Sequence, residues 1–191
     1  MVNINDLQDS YNRISKYLVT TPILKSKKLN KEFNADIYLT NEVKQLTGSF
    51  KIRGALSALS KLKEDGFEGV VAFSSGNHAQ GVSKAAQIFD MKATIVMPED
   101  APLNKIEKTK SNGAEVILYK RHIESREKIA EQISLERGFP LVKPFDNEYI
   151  IAGQGSFGLE ACQFFMGSNI KPDIVLSCTS GGGLVAGTSI A

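Results

Sequence analysis

One lysine in this sequence stands where its amine could act as a nucleophile. Lys51 falls in the first turn of a predicted helix, where Thr47 and Ser49 have hydroxyl groups that can cap the helix start. A positive charge is disfavoured at a helix N-terminus, which helps to lower the pKa of the amine. A neutral lysine amine can attack a carbonyl group and form a Schiff base. The competing interpretation is an ordinary solvated lysine, which this loop alone does not exclude.

A second loop, Ser74–His78, brings hydroxyl, amide and imidazole groups to the start of another predicted helix. The free N–H groups of a helix start favour a bound carboxylate or phosphate. The competing interpretation is a strand-to-helix turn capped by Ser75 or Asn77. By itself, His78 is more simply explained as a packed, hydrogen-bonded residue than as a catalytic base.

The third loop is the glycine run Ser180–Gly183, which joins a predicted strand to a last apolar helix. Consecutive glycines allow backbone N–H groups to converge on an anion without obstruction by side chains. The lysine of a P-loop and the glycine spacing of a dinucleotide site are absent. The run therefore indicates a phosphate site that is not that of a nucleoside triphosphate, with a flexible turn as the alternative.

Strands and helices must position these three loops. Continuous apolar runs alternate with longer helical patterns, which is typical of a doubly wound α/β fold with a parallel sheet. The predicted strands are Asp36–Thr40, Gly69–Phe73, Ala93–Met97, Ala114–Tyr119, Pro140–Lys143 and Asp173–Cys178. The predicted helices, after an amphipathic opening at Asp6–Leu18, are Ser49–Glu64, Asn77–Phe89, Leu103–Asn112, Ile123–Arg137 and Asn147–Phe165. In such sheets, ligands bind at the carboxyl ends of strands, in the loops that lead into helices.

Composition excludes several classes of protein. With 23 basic and 21 acidic residues, the 191-residue chain has a net charge of +2, which predicts no nucleic-acid or anionic-membrane partner. No apolar run is long enough to span a bilayer, and the first residues do not resemble a signal peptide. Cys162 and Cys178 form no metal-ligand spacing, which predicts a reduced, cytoplasmic chain. The last apolar run stops without a cap, as if the sequence were cut short.

Together, the three loops closely resemble the fold-type-II pyridoxal-phosphate enzymes, in particular the serine/threonine dehydratases and serine racemases. The resemblance covers the chain from about Thr20 to its last residue. It is carried by motifs in the family's order: Ser49–Ala55, Ser74–Gly81, Pro144–Asp146, Ile151–Gly155 and Ser180–Leu184. It implies two open, mostly parallel sheets with helices on both faces.

The resemblance also implies a role for each motif residue. Lys51 would form the Schiff base with pyridoxal 5'-phosphate and move protons, and Ser75 would be a second acid on the opposite face of the substrate. The cofactor-binding residues would be Phe50, Lys51, Asn77, Ser180, Gly181, Gly182, Gly183 and Leu184. The substrate carboxylate would be held by Ser74, Ser75, Asn77 and His78. Ser180 stands where the family commonly has a fourth glycine.

The implied activity is deamination, by α,β-elimination, of a small hydroxy amino acid such as L-threonine or L-serine to a 2-oxo acid and ammonia. Ser75 keeps open a serine racemase, or a 3-hydroxyaspartate ammonia-lyase or racemase, whereas Pro144–Asp146 favours the dehydratases. A β-replacing synthase ranks third because its lysine context usually differs. A non-catalytic binding module would not need Lys51, and a nucleotide-binding domain would need another glycine spacing.

The family architecture implies how the chain is divided. Residues 53–146 would form a smaller mobile domain, and residues 1–52 and 147–191 an incomplete larger domain that binds the cofactor. Family members are longer, so we expect residues 1–191 alone to be inactive and prone to aggregate unless another chain completes the fold. The full-length protein would be a homodimer, and no metal site is predicted in this chain.

Overall fold

The computed structural model describes residues 1–191, which form eight α-helices and five β-strands. The helices are α1 (Ile4–Ile14), α2 (Lys27–Phe33), α3 (Lys51–Glu64), α4 (Asn77–Ile88), α5 (Leu103–Ser111), α6 (Arg126–Arg137), α7 (Glu148–Gly167) and α8 (Gly183–Ile190). The strands are β1 (Ile23–Lys25), β2 (Tyr38–Thr40), β3 (Gly69–Phe73), β4 (Lys92–Pro98) and β5 (Glu115–Tyr119). No helix has both the length and the apolar character that a membrane crossing requires.

Strands β3, β4 and β5 form a parallel sheet in chain order, connected by α4 and α5. The predicted strand Pro140–Lys143 extends this sheet only by a bridge. The amide of Val71 donates to the Pro140 carbonyl at 3.0 Å, and the amide of Val142 donates to the Val71 carbonyl at 2.8 Å. This short bridge places residues 142–145 beside the carboxyl end of β3.

Side chains of β3 alternate between the two faces of the sheet, as the strand geometry requires. Val70 and Ala72 pack in the main core with residues of α3 and α4. Val71 and Phe73 pack on the other face with Ala130 of α6. Helices therefore cover both faces, and the α/β fold predicted from the sequence is confirmed.

Helix α7 packs against α1, α3 and α8. A Cβ atom at Gly153 would lie 2.6 Å from the carbonyl oxygen of Arg53 and 2.6 Å from the Cβ of Ser57. A Cβ at Gly187 of α8 would lie 2.5 Å from the amide nitrogen of Gly155. The helices approach so closely that only hydrogen fits at these positions, so α7 holds α3 and α8 in a fixed relation.

Outside this region, one sequence prediction needs correction and one strand was missed. The predicted strand Asp173–Cys178 is wrong, since the segment has no regular structure and its Ile174, Val175 and Leu176 are 78%, 69% and 92% exposed. An apolar strand forms when neighbouring strands accept its hydrogen bonds, and no segment of residues 1–191 pairs with this one. The second sheet is the antiparallel pair of β1 and β2, and β1 was not predicted.

Candidate active site

A cavity of about 390 Å³ lies where α3, α4 and α8 begin, within the size range of small-molecule sites. Every site residue predicted from the sequence lines it. The lining residues are Phe50, Lys51, Ser74, Ser75, Gly76, Asn77, His78, Pro144, Phe145, Cys178, Thr179, Ser180, Gly181, Gly182, Gly183 and Leu184.

Three helix N-termini meet at this cavity, namely those of α3, α4 and α8. Each carries amide groups without intrahelical acceptors and the positive end of the helix dipole. No aspartate or glutamate lines the cavity, and Lys51 is its only lysine or arginine. The cavity therefore favours anionic ligands.

A second cavity, of about 380 Å³, lies between the N-terminus of the chain and the helices α7 and α8. Its lining is mainly apolar, and its only charged side chains are those of Asp146 and Glu148. Because no lysine, arginine, cysteine, serine or threonine lines it, it does not compete with the first cavity as the site of a reactive amine or an anion.

Lys51 is the first residue of α3, and its Nζ donates a hydrogen bond to the carbonyl oxygen of Pro144 at 2.7 Å. Burial lowers the pKa of this amine, which moves it toward the neutral form that nucleophilic attack needs. The expected capping by Thr47 and Ser49 is wrong: no side chain caps α3, and both hydroxyls are buried without a hydrogen-bond partner. The loop instead turns into the helix through Phe50, which occupies the cap position.

No side chain caps the start of α4, and the second loop is held by other side-chain hydrogen bonds. Gly76 precedes α4 and donates its amide to the Oγ of Ser74 at 3.2 Å. His78 is buried, and burial lowers the pKa of its imidazole to about 4. The ring is therefore neutral, and its Nε2 donates to the carbonyl of Val142 at 3.0 Å. This agrees with the interpretation of His78 as a packed residue, and its other ring nitrogen is left as an acceptor.

Asn77 has a defined amide orientation. Its Oδ1 accepts a hydrogen bond from Nζ of Lys105 in α5 at 3.0 Å. A lysine can only donate, so the amide nitrogen of Asn77 must lie on the other side. Sequence reasoning missed Lys105, because nothing in the spacing of residues 77 and 105 indicates contact.

The glycine loop is shaped by one backbone conformation and one close contact. Gly182 has φ +87°, a left-handed conformation that favours glycine. A Cβ at Gly181 would overlap the Phe145 ring, so the ring occupies the space beside this glycine. The next residues open α8, whose first-turn amides have no intrahelical acceptor. This arrangement fits a phosphate group, in agreement with the chemistry expected of the glycine run.

Comparisons with known proteins agree with the geometry of this cavity. Residues 14–191 match the family described as "Pyridoxal-phosphate dependent enzyme". L-threo-3-hydroxyaspartate ammonia-lyase of Saccharomyces cerevisiae is 43% identical over 187 residues, which are 97% of this chain and 56% of that protein. Serine racemase of Schizosaccharomyces pombe is 41% identical over 98% of this chain and 57% of its own length.

A solved structure has the same fold. The threonine deaminase of T.th. superposes with a TM-score of 0.90 and 41% identity, over 98% of this chain and 60% of that one. The chain thus spans little more than half the length of the relatives that it matches.

Proposed function

The chain belongs to the pyridoxal-phosphate dependent enzyme family, and we propose that it forms the cofactor-binding part of an ammonia-lyase that acts on a small hydroxy amino acid. The cofactor of the family is pyridoxal 5'-phosphate. The observation that carries the proposal is a half-buried lysine amine, with a lowered pKa, in a cavity where three helices begin and no acidic side chain is present.

The residues of the cavity divide into groups suited to the parts of the cofactor. Lys51 would attach the cofactor covalently, and Asn77, whose Oδ1 accepts from Lys105, would bind a ring hydroxyl through its amide nitrogen. The loop Ser180–Leu184 would hold the phosphate through backbone amides, with Phe50 and Phe145 beside it. When bound, pyridoxal phosphate supplies an electron sink for the negative charge left at the substrate Cα after proton loss.

Substitution of Gly181 tests whether the loop Ser180–Leu184 is the phosphate site. In Gly181→Ala, the new methyl group meets the Phe145 ring, so the loop or the ring must move. We expect the affinity for pyridoxal phosphate to fall by about 10-fold or more, because small misplacements of binding groups are costly. Fluorescence titration with the cofactor measures the change. The double variant Gly181→Ala/Phe145→Ala should recover most of the loss, and no recovery would contradict the steric cause.

The chain's own residues would bind the substrate and remove its proton. The amides and hydroxyls of Ser74–Asn77 hold the substrate carboxylate at the start of α4. The Lys51 amine, freed when the substrate amine takes its place on the cofactor and favoured in its neutral form by burial, would remove the proton from Cα. The β-hydroxyl would take up a proton and leave as water. One water molecule would then hydrolyse the remaining unsaturated amine to a 2-oxo acid and ammonia.

A racemase is the second candidate, and Ser75 is the observation that favours it. Racemisation needs an acid on the face of Cα opposite Lys51, and the Ser75 hydroxyl lines the same cavity. The relatives include both activities at nearly equal identity, so they do not choose between them. We favour the lyase because the segment Pro144–Asp146 resembles the dehydratase pattern.

Product analysis tests the proposal directly. The full-length protein loaded with pyridoxal phosphate, rather than residues 1–191 alone, is incubated separately with L-threonine, L-serine and L-threo-3-hydroxyaspartate. A lyase releases ammonia and 2-oxo acid in equal amounts from at least one of them. Formation of the D-enantiomer without ammonia would establish the racemase instead, and no reaction with any of them would contradict both.

Ser75→Ala separates the two activities in one protein. We expect any racemisation to fall by about 100-fold or more, the usual scale for loss of a positioned acid. At saturating substrate, the kcat of elimination should fall by a few-fold at most, because proton removal uses the Lys51 face and residue 75 keeps its backbone amide for the substrate carboxylate. Chiral chromatography and an ammonia assay measure the two rates, with Ser75→Thr as the variant that keeps a hydroxyl. Equal losses in both rates would contradict separate roles for Ser75 and Lys51.

We further propose the domain division and assembly that the resemblance implies. Residues 53–146, which contain the parallel sheet, would form the small domain. Its part beyond α3, which is itself held on α7, would close over the substrate and exclude water. Residues 1–52 and 147–191 would belong to the larger domain. The full-length protein would be a cytoplasmic homodimer.

A further inference from the structure

A buried arginine lies two residues after Lys51. The Arg53 side chain is fully buried and uses all three of its guanidinium nitrogens. Nε and Nη2 donate to the two carboxylate oxygens of Glu42 at 2.8 and 2.9 Å, and Nη2 also donates to Glu160 at 2.7 Å. Nη1 donates to the Oγ of Ser156 at 3.1 Å. The cavity does not include any of these four residues.

The positions of these partners explain what the arginine connects. Residues two apart on a helix point to different sides, so Arg53 extends behind the face that carries Lys51. Glu42 lies in a 3₁₀ turn ahead of α3, whereas Ser156 and Glu160 lie on α7. Arg53 thus ties the first turn of α3 to two other segments of the chain. The positive end of the α3 dipole disfavours a cation in this first turn. The carboxylates of Glu42 and Glu160 supply the compensating negative charge.

Helix α7 connects this arginine to the other wall of the cavity. On one side α7 holds Arg53, and on another side Gly155 contacts the backbone of Gly187 in α8. The glycine loop opens α8, so α7 is the common support of Lys51 and of the loop. The distance between the Lys51 amine and the glycine loop therefore depends on how α3 packs on α7.

We propose that Arg53 is a positioning residue, which clamps the start of α3 to α7 and thereby sets the place of the Lys51 amine relative to the glycine loop of α8. The proposal rests on the proposed function, since it assigns Arg53 a role in cofactor attachment. It adds a residue that acts through Lys51 and touches neither cofactor nor substrate.

Arg53→Lys tests the clamp, because lysine keeps the charge but cannot hold three partners in a planar fork. The matched control is Arg13→Lys, since Arg13 also donates to a residue of α3, Ser60, at 3.3 Å, but two turns farther along the helix. Each protein is prepared without cofactor, checked for folding by circular dichroism, and titrated with pyridoxal phosphate. Borohydride reduction and peptide mapping then give the fraction of Lys51 that carries the cofactor.

We expect Arg53→Lys to raise the dissociation constant for pyridoxal phosphate by about 10-fold or more, the scale of a small misplacement of a reacting group. Its Lys51 adduct should fall and the absorption maximum of the bound cofactor should shift, while Arg13→Lys stays within twofold of the unchanged protein. If Arg53→Lys does not fold, Glu160→Gln, which keeps the shape of the partner but removes its charge, is measured in the same way.

A folded Arg53→Lys or Glu160→Gln protein with unchanged affinity, adduct and spectrum would overturn the proposal and reduce Arg53 to a stabilising ion pair. A different result tests the proposed function. If the unchanged protein gives no adduct at Lys51, the proposed function fails, and the role of Arg53 fails with it.

Discussion

Lys51→Ala is expected to abolish turnover, with kcat lower by roughly three orders of magnitude or more, as for removal of a nucleophile that also acts as a base. Lys51 is the only lysine that lines the cavity, and the nearby Lys105 amine is bonded to Asn77 from outside the lining, so we expect no other amine to take its place. The variant should also lose the borohydride-stable adduct and the visible band of the attached cofactor. Its fold should persist, because the side chain loses only the hydrogen bond to the Pro144 carbonyl and a cation–π contact with the Phe50 ring, 5.4 Å from its centroid.

The control is Lys61→Ala on the same helix. The Lys61 amine lies at the surface, where it pairs with Glu64 and Asp65. Surface pairs of this kind contribute little to stability, so kcat and adduct formation should both remain within about twofold. An adduct that maps to another lysine in the unchanged protein, or substantial turnover by Lys51→Ala, would show that the reactive amine has been assigned to the wrong residue.

Gly153→Ala is expected to give the largest loss of stability among single methyl additions in α7. The new Cβ would lie 2.6 Å from the Arg53 carbonyl oxygen and 2.7 Å from the Cα of Gly54, and these backbone atoms cannot move without separating α3 from α7. Overpacking of this kind typically costs about 1–3 kcal/mol in the free energy of unfolding, and backbone contact places this case at the upper end. Urea unfolding followed by circular dichroism measures it.

Gly167→Ala is the matched control, because Gly167 ends the same helix and a Cβ there meets nothing within 4 Å. Alanine in a helix is more stable than glycine by about 0.5–1 kcal/mol, so this variant should be neutral or slightly stabilised. If both variants change the unfolding free energy equally, helix propensity rather than the contact between α3 and α7 accounts for the effect.

Much of the fold could be predicted because its pattern is local. The run Gly69–Phe73 was predicted with the bounds that the structure has, since a strand buried on both faces is a continuous apolar run between polar residues. The short elements β1 and α2 were not predicted. Three and seven residues are too few for periodicity to show, and α2 depends on a single capping side chain, Ser26.

The strand predicted at Asp173–Cys178 is a case in which the local pattern is misleading. Its composition favours a strand, but strand formation is decided by partners that lie elsewhere in the chain. Composition indicates that a segment is apolar enough to be buried. It does not indicate whether another strand is available to pair with the segment. The exposure of Ile174–Leu176 follows from that difference.

For the site, the sequence indicated which residues meet but not how they touch. The three loops could be assigned to one cavity from their position at helix starts and from a family resemblance. The contact of Phe145 with Gly181 and the hydrogen bond from Lys105 to Asn77 could not, because side-chain packing between distant segments has no local signature. The same holds for Arg53, whose partners are 11, 103 and 107 residues away.

The sequence separation of these contacts also indicates the order in which they form. The hydrogen bond from Lys51 to Pro144 joins residues 93 positions apart, and long loops of this kind close only after local structure has formed. During synthesis, the wall made by the glycine loop does not exist until Gly183 has left the ribosome. The cavity around Lys51 is therefore completed long after the lysine itself has been made. As long as no cofactor is bound, the Pro144 carbonyl accepts a hydrogen bond from the Lys51 amine.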